Sequence, residues 1–349
     1  MEQAINEDPF LVRHLAANPS GDISFPENDT NYYERYLRIA AHLDKEVHPI
    51  VNQGSTLVDS GWLTDHGPAH IATVIRRASD LLNEDTFLTP YESYILLLSI
   101  HFHDVGNVFG RVNHEKKISE VMSSLPSGLM SDNGFERRLI RDIAQAHGGY
   151  ADEDGVDRDT IGPLRKWDDD DHVRTQLLAA ILRFADELAD DYTRTSRFLI
   201  EGSVPTGSQV FHMYADRLRL VKINLNSNSI RINFELIPDN ATEKYGKGED
   251  SVYLFDEILE RCTKMHREHT YCQKFFQKHI VIDTITVSIV VMTTDAMDII
   301  ETISFQMRQG GYPAHPETVQ DICGELSFND GQTLSSEIAK QLSIREENG

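Results

Sequence analysis

The run Leu98-Ser99-Ile100-His101-Phe102-His103-Asp104-Val105-Gly106 sets an imidazole beside a carboxylate at the end of an apolar stretch. Candidate partners stand on both sides: His66 and His70 upstream, then His114-Glu115, His147 and Asp186 downstream. Imidazole nitrogens and carboxylate oxygens brought from separate helices make a nitrogen–oxygen site for a divalent cation that keeps coordination positions open. Such a cation lowers the pKa of bound water from about 15.7 toward about 7 and polarises a phosphoryl oxygen, and both effects favour attack at phosphorus.

Other side chains around this set have narrower readings. His66 lies four residues before His70, so a helix that has begun by then puts both on one face, although His66 could equally cap the turn. Glu115 could hold the neighbouring His114 in one tautomer and support proton transfer to a leaving group, or be a surface carboxylate near a helix start. His101 points away from His103 on a helix and reads as a packing histidine. Asp190 shares a helix face with Asp186. Cys262, His266, His269 and Cys272 have ligand-like spacing, but on one continuous helix their ends are about 15 Å apart, too far for one ion. The run Asp168 to Asp171 reads as a solvated loop.

Charge narrows the substrate. With 33 basic against 56 acidic residues the formal net charge is −23, which repels a polyanion over most of the surface, and no dense basic cluster with interleaved aromatics appears. A long nucleic acid is therefore not expected, whereas a small anion needs only a local positive spot. The cation and a few bases, with Arg76, Arg111, Lys116, Arg183 and Arg194 as the candidates to bind substrate, would supply it. No apolar stretch reaches the roughly 18 to 20 residues that cross a bilayer, and the N-terminus lacks the basic-then-apolar order of a signal peptide. Three cysteines without short spacing imply no disulfide framework. A cytoplasmic location is the expectation.

The elements that must position these groups are mostly helical. Apolar residues recur at helical spacing over 31–50, and a second helix is expected over 67–83. Thr89-Pro90-Tyr91-Glu92 combines a capping box with proline at the first helical position, so the next helix runs from there to the His103-Asp104 doublet. Residues 134–147 form another, ended by Gly148-Gly149, and Leu177 to Ala185 make the apolar helix that delivers Asp186. A carboxylate at the edge of so apolar a helix is costly unless a metal or an arginine pairs it. Past residue 205 the period changes: 218–225 and 230–236 alternate as a hairpin around Asn226 to Ser229, 252–278 is a long helix, 281–291 a strand, and 296–309 a helix stopped by Gly310-Gly311. The last dozen residues are expected to fray.

The order His70, His103-Asp104, Asp186 resembles the H…HD…D signature of the HD-domain metal-dependent phosphohydrolases. The likeness runs from about residue 60 to residue 195 and includes Val74 four residues after His70, Val105-Gly106 after the doublet, and a His-Glu pair ten residues on, as in HD triphosphohydrolases and phosphodiesterases. The chain past residue 205 is similar to an HD subgroup with an α+β extension. The resemblance implies a mainly α protein, an all-helical HD core followed by a smaller α+β module, with an N-terminal segment at 1–29, the helical domain at 30–204, the α+β module at 205–312 and a tail at 313–349. It implies His70, His103, Asp104 and Asp186 as metal ligands for one or two ions of Mn, Fe, Co, Ni or Mg. His66, His114, Glu115 and His147 are then the catalytic candidates. His114 and His147 match extra histidines of HD relatives, which either hold a second ion bridged by Asp104 or orient substrate, and the substrate role is preferred. The expected activity is hydrolysis of a small phosphorylated compound, a nucleotide first, of the dNTP triphosphohydrolase or cyclic-nucleotide phosphodiesterase type, by attack of a metal-bound hydroxide on phosphorus. The alternatives are a nucleotide-sensing module without turnover and, further behind, a single-strand nuclease. HD relatives often assemble, so the α+β module is a candidate surface for another copy or a partner protein.

Overall fold

The computed structural model describes residues 8–51, 66–82, 88–110, 114–148, 159–164, 173–194, 204–276, 279–294, 298–310, 318–324 and 326–348. The fold is mainly α with an α+β part, in two compact units: one built from residues up to Ser55 with His66–Ala189, the other from Asp190 onward. Among the described residues no helix is long and apolar enough to cross a membrane.

The first unit is helical. Within the segment 1–29, α1 (Phe10–Ala17) buries Leu11 and Leu15 completely. The periodic stretch expected over 31–50 is α2 (Tyr32–His42), which passes into a π-helical turn at Leu43–Val47. Next come α3 (Pro68–Asp80) and α4 (Pro90–Phe102), the latter with every residue buried. Burying leucines such as Leu96, Leu97 and Leu98 stabilises by about 1.5–3 kcal/mol each, which explains why the doublet's helix is the centre of the unit. Around it pack α1, α2, α3, α6 (Gly134–Gln145) and α7 (Thr175–Glu187), with the short α5 (Ile118–Ser124) against α6.

The start of α4 forms the expected capping box: Glu92 N donates to Thr89 Oγ1 and Thr89 N donates to Glu92 Oε2. Glu92 then does a second task. Its Oε1 accepts from the backbone N–H and Nε of Arg174, and its Oε2 from Arg174 Nη2 at 2.6 Å. Arg174 is the residue before α7, so one buried carboxylate fastens the starts of the two helices that deliver the doublet and Asp186.

The second unit begins with α8 (Gln209–Arg217) and continues into β1 (Leu218–Asn224) and β2 (Ser229–Leu236), the expected hairpin, closed through Asn228 in the left-handed conformation at φ 48°. After α9 (Pro238–Thr242) a second, unforeseen hairpin forms from β3 (Lys244–Lys247) and β4 (Asp250–Tyr253). Then follow the long α10 (Leu254–Phe276), β5 (Thr284–Met292) and β6 (Ile299–Arg308). The four long strands order β1-β2-β5-β6, with β2 and β5 parallel and the other pairs antiparallel.

The structure differs from the sequence pattern in two places. The stretch 296–309 is not a helix: its described part is β6, paired along its length with β5, and its Ile303, Phe305 and Met307 are buried while the residues between them are exposed. The closing residues are helical rather than irregular: α11 (Val319–Cys323) leads to α12 (Gly331–Asn348), which buries Leu334 and Ile338 completely, one turn apart.

Candidate metal centre

Every residue of the centre sits at an end of a helix of the first unit. His66 precedes α3, whose first turn carries His70 behind Gly67 and Pro68. His103 caps the C-terminus of α4, and Asp104 leaves the helix at φ −104° and ψ 0°, a bridge conformation common at functional positions. That departure lets two neighbouring side chains converge, where an unbroken helix would have separated them by about 100°. Asp186 lies in the last turn of α7, and His147 follows the end of α6.

These side chains meet. His70 Nε2 is 3.1 Å from Asp186 Oδ1 and 3.9 Å from Asp104 Oδ2. His103 Nε2 is 3.4 Å from Asp104 Oδ2 and 3.6 Å from Asp186 Oδ1. Asp104 works in two directions: Oδ2 also meets His66 Nδ1 at 2.9 Å, while Oδ1 faces His114 Nε2 at 3.2 Å and His147 Nε2 at 3.7 Å. Within each of three overlapping trios, His66-His70-Asp104, His70-His103-Asp186 and His103-Asp104-His147, one ligand atom per residue lies within 4.8 Å of the other two.

The donor set fits a cation. His103 donates Nδ1–H to the carbonyl of Ile100 at 2.7 Å, and His147 donates Nδ1–H to the carbonyl of Ala144 at 2.6 Å. Because a carbonyl only accepts, each neutral ring must present the lone pair of Nε2 to the cluster, which is how a metal-ligating imidazole is fixed. His103 Nε2 is buried and makes no hydrogen bond, although two carboxylate oxygens face it. Lone pair against carboxylate is repulsive, and a divalent ion held by these residues would relieve that repulsion.

Electrostatics agree. Burial disfavours charge on His103, but Asp104 and Asp186 outweigh it and raise the ring well above its ordinary range. Burial also resists ionisation of Asp104 and Asp186, yet the surrounding imidazoles, His103 prominent among them, hold both carboxyls well below theirs. His147 is pushed the other way by burial, down to about 4, and is a neutral ligand-type ring. The interior here demands positive charge between carboxylates.

Two neighbours shape the centre without having been foreseen in that role. Asn107, fully buried, donates from Nδ2 to Asp104 Oδ1 at 3.1 Å. Gly106 lies so close to the backbone of His114 that any Cβ would overlap the His114 carbonyl. The signal was present in Asp104-Val105-Gly106-Asn107, an amide one turn past a carboxylate and a residue without a side chain beside it. Glu115 Oε2 stands 3.5 Å from His114 Nδ1 and is itself buried without a hydrogen bond.

The expected substrate-binding bases have different local settings. Arg76 and Lys116 are exposed. Arg183 is buried and donates from Nη1 to Thr160 Oγ1 at 3.0 Å. Arg194 pairs with Asp190 at 3.3 Å in the second unit, and Arg111 lies outside the described residues, as does Asp168 to Asp171. Cys262, His266, His269 and Cys272 do lie along one unbroken helix, α10, and belong to no ligand cluster among the described residues. His101 turns away from the centre toward Tyr36 and His48, and burial pushes its ring down to about 3.

Among protein families, the model described as HD-CE matches residues 61–264, more than half of the chain and the whole span from His66 to Asp186. No curated protein and no solved structure shows a significant match.

Proposed function

The chain belongs to the HD-CE family, and from that membership and the buried imidazole–carboxylate cluster we propose that it is a metal-dependent phosphohydrolase acting on a small phosphorylated compound, a nucleotide first. The observation that carries the reading is His103 Nε2, buried and without a hydrogen bond between the carboxylates of Asp104 and Asp186. A divalent cation held by His70, His103, Asp104 and Asp186 would supply Lewis acidity and an activated water. Two nitrogens and two oxygens suit Mn, Fe, Co, Ni or Mg better than a closed tetrahedral zinc.

The chain's own groups do the rest of the work in this reading. Asn107 and His66 fix the Asp104 carboxylate, and the backbone carbonyls of Ile100 and Ala144 fix the tautomers of His103 and His147. Where His114 is not a ligand to a second ion, it is backed by Glu115 and would hand a proton to a leaving oxygen. Asp104 presents Oδ2 to one set of imidazoles and Oδ1 to another, the layout of a bridging carboxylate, so His147 and His114 either hold substrate or complete a second ion site. The net charge of −23 supports a small substrate over long nucleic acid. The α+β module is then free to serve as an assembly or partner surface.

The experiment is a metal-dependent hydrolysis screen over deoxynucleoside triphosphates, cyclic nucleotides and simple phosphate esters, scoring phosphate, pyrophosphate and triphosphate separately. Turnover in the wild type that is lost in His103→Ala and Asp104→Ala is expected. Nucleotide binding without turnover would replace the enzyme by a sensor, and metal-dependent cutting of single strands would replace the small substrate by a polymer.

A further inference from the structure

A second imidazole–carboxylate cluster lies in the first unit and shares no residue with the centre at His103 and Asp104. Asp44 and His48 come from the π-helical turn that follows α2 and the residue after it, and His101 from the last turn of α4. A π turn inside a helix is an uncommon distortion that is found frequently at functional sites.

Proton placement there is over-determined. His48 Nε2 is 2.9 Å from the carbonyl oxygen of His101, and since a carbonyl only accepts, that nitrogen carries the hydrogen. The other nitrogen, Nδ1, faces Asp44 Oδ1 at 2.8 Å. In the neutral ring Nδ1 is a lone pair, so two electron-rich atoms are held in contact and require positive charge there. His101 brings a third atom: the residue is 2% exposed, its Nε2 meets Tyr36 Oη at 3.4 Å, a hydroxyl that can donate and so leave Nδ1 a lone pair, and Nδ1 makes no hydrogen bond while pointing at the same Asp44 Oδ1 from 3.8 Å.

A proton on His48 would satisfy the first contact and still leave the buried His101 Nδ1 without a hydrogen bond. One divalent cation would engage both nitrogens and the Asp44 carboxylate. Ligand atoms about 2.0–2.2 Å from a common ion stand roughly 3–4 Å apart, and one such atom from each of the three residues lies within 4.8 Å of the other two. Asp44 is half exposed, which gives an entry path and a position for water. Two imidazoles with one carboxylate select a first-row transition cation over Mg or Ca.

We propose that Asp44, His48 and His101 form a second metal site, separate from the centre at His103 and Asp104, that takes a zinc-class transition cation with one coordination position open to solvent. Loading it would tie the π turn to the last turn of α4, whose next residues are His103 and Asp104.

The site is tested by counting zinc per chain in full-length protein stripped with chelator, reloaded with zinc chloride and freed of excess, for the wild type, Asp44→Asn/His48→Gln, Asp104→Asn/Asp186→Asn, and all four substitutions together. The first double variant should hold one zinc fewer than the wild type, while Asp104→Asn/Asp186→Asn should keep that ion and still rise in melting temperature on zinc addition. The quadruple variant should show no such rise. Circular dichroism and the single Asp44→Asn variant, altered at a half-exposed position, separate lost binding from lost folding. Equal zinc in the wild type and Asp44→Asn/His48→Gln, with the quadruple variant still stabilised by zinc, would overturn the proposal. Failure of the HD centre reads out separately, as zinc content unchanged by Asp104→Asn/Asp186→Asn.

Discussion

Asn107 holds Asp104 by a single side-chain hydrogen bond, Nδ2 to Oδ1 at 3.1 Å, in a fully buried position. That bond orients a carboxylate which faces five imidazoles, and outer partners of this kind are worth about 10–100-fold in metal affinity. Asn107→Ala should therefore weaken divalent-metal binding by about that factor while Asn107→Asp, which replaces a donor by a second carboxylate, weakens it more. Isothermal titration with Mn²⁺ reads the order, and equal affinity in the wild type and both variants would remove Asn107 from the centre.

Gly106 permits the backbone of His114 to lie against the turn after the doublet. A methyl group there must push the 114–117 segment outward, at a cost of about 1–3 kcal/mol for overpacking. Gly106→Ala should lower the melting temperature and impair turnover through His114, with metal binding by His70, His103 and Asp186 largely kept. A melting temperature and turnover equal to wild type would show that the close approach is not needed.

Glu92 joins the N-terminus of α4 to the N-terminus of α7 through Arg174. The carboxylate is buried and the guanidinium partly exposed, so removing the carboxylate costs less than a fully buried pair, about 2–3 kcal/mol. Glu92→Ala should shift the denaturation midpoint by that amount and loosen the spacing between Asp104 and Asp186, seen as weaker metal binding. A destabilised variant with unchanged metal affinity would confine Glu92 to the cap.

Glu136 accepts from Tyr91 Oη and Tyr94 Oη, both at 3.2 Å, and burial raises its pKa above the usual 4.5 despite the opposing charge of Arg35. The folded protein thus binds this proton more tightly than the unfolded chain does. Its contribution is present in full below about pH 4.5 and is lost as pH climbs through the raised folded value. Relative to Glu136→Gln, the wild type should lose stability steadily as pH rises from 4.5, in denaturant midpoints compared at each pH. A difference between the two proteins that is flat or grows with pH contradicts this.

The sequence exposed the imidazole–carboxylate cluster because its members stand at helix ends, where caps and stops are written locally. Thr89-Pro90-Tyr91-Glu92 marked the start of α4 and the residues after Phe102 its end, and both are observed. Ile299, Ile300, Ile303 and Met307 satisfy a helical period as well as they satisfy alternation, and only pairing with β5 decides for the strand. Leu334 and Ile338 are two apolar residues in a polar stretch, too few to announce α12 before a core is there to receive them. The cluster at Asp44 escaped notice because a π turn, which sets Asp44 and His48 against His101, leaves no trace in residue type. Arginine roles were equally hidden, since Arg174, not one of the five candidate bases, makes the buried contact with Glu92.

The most direct test of the centre is Mn²⁺ binding to chelator-stripped protein, followed by electron paramagnetic resonance, in the wild type, His103→Ala and Asp186→Ala. Four converging ligands predict at least one tightly held Mn²⁺ per chain in the wild type and a loss of affinity greater than about 100-fold in either variant. Mn²⁺ bound in the same number and with the same affinity by all three proteins would contradict the assignment of His70, His103, Asp104 and Asp186 as the metal's ligands.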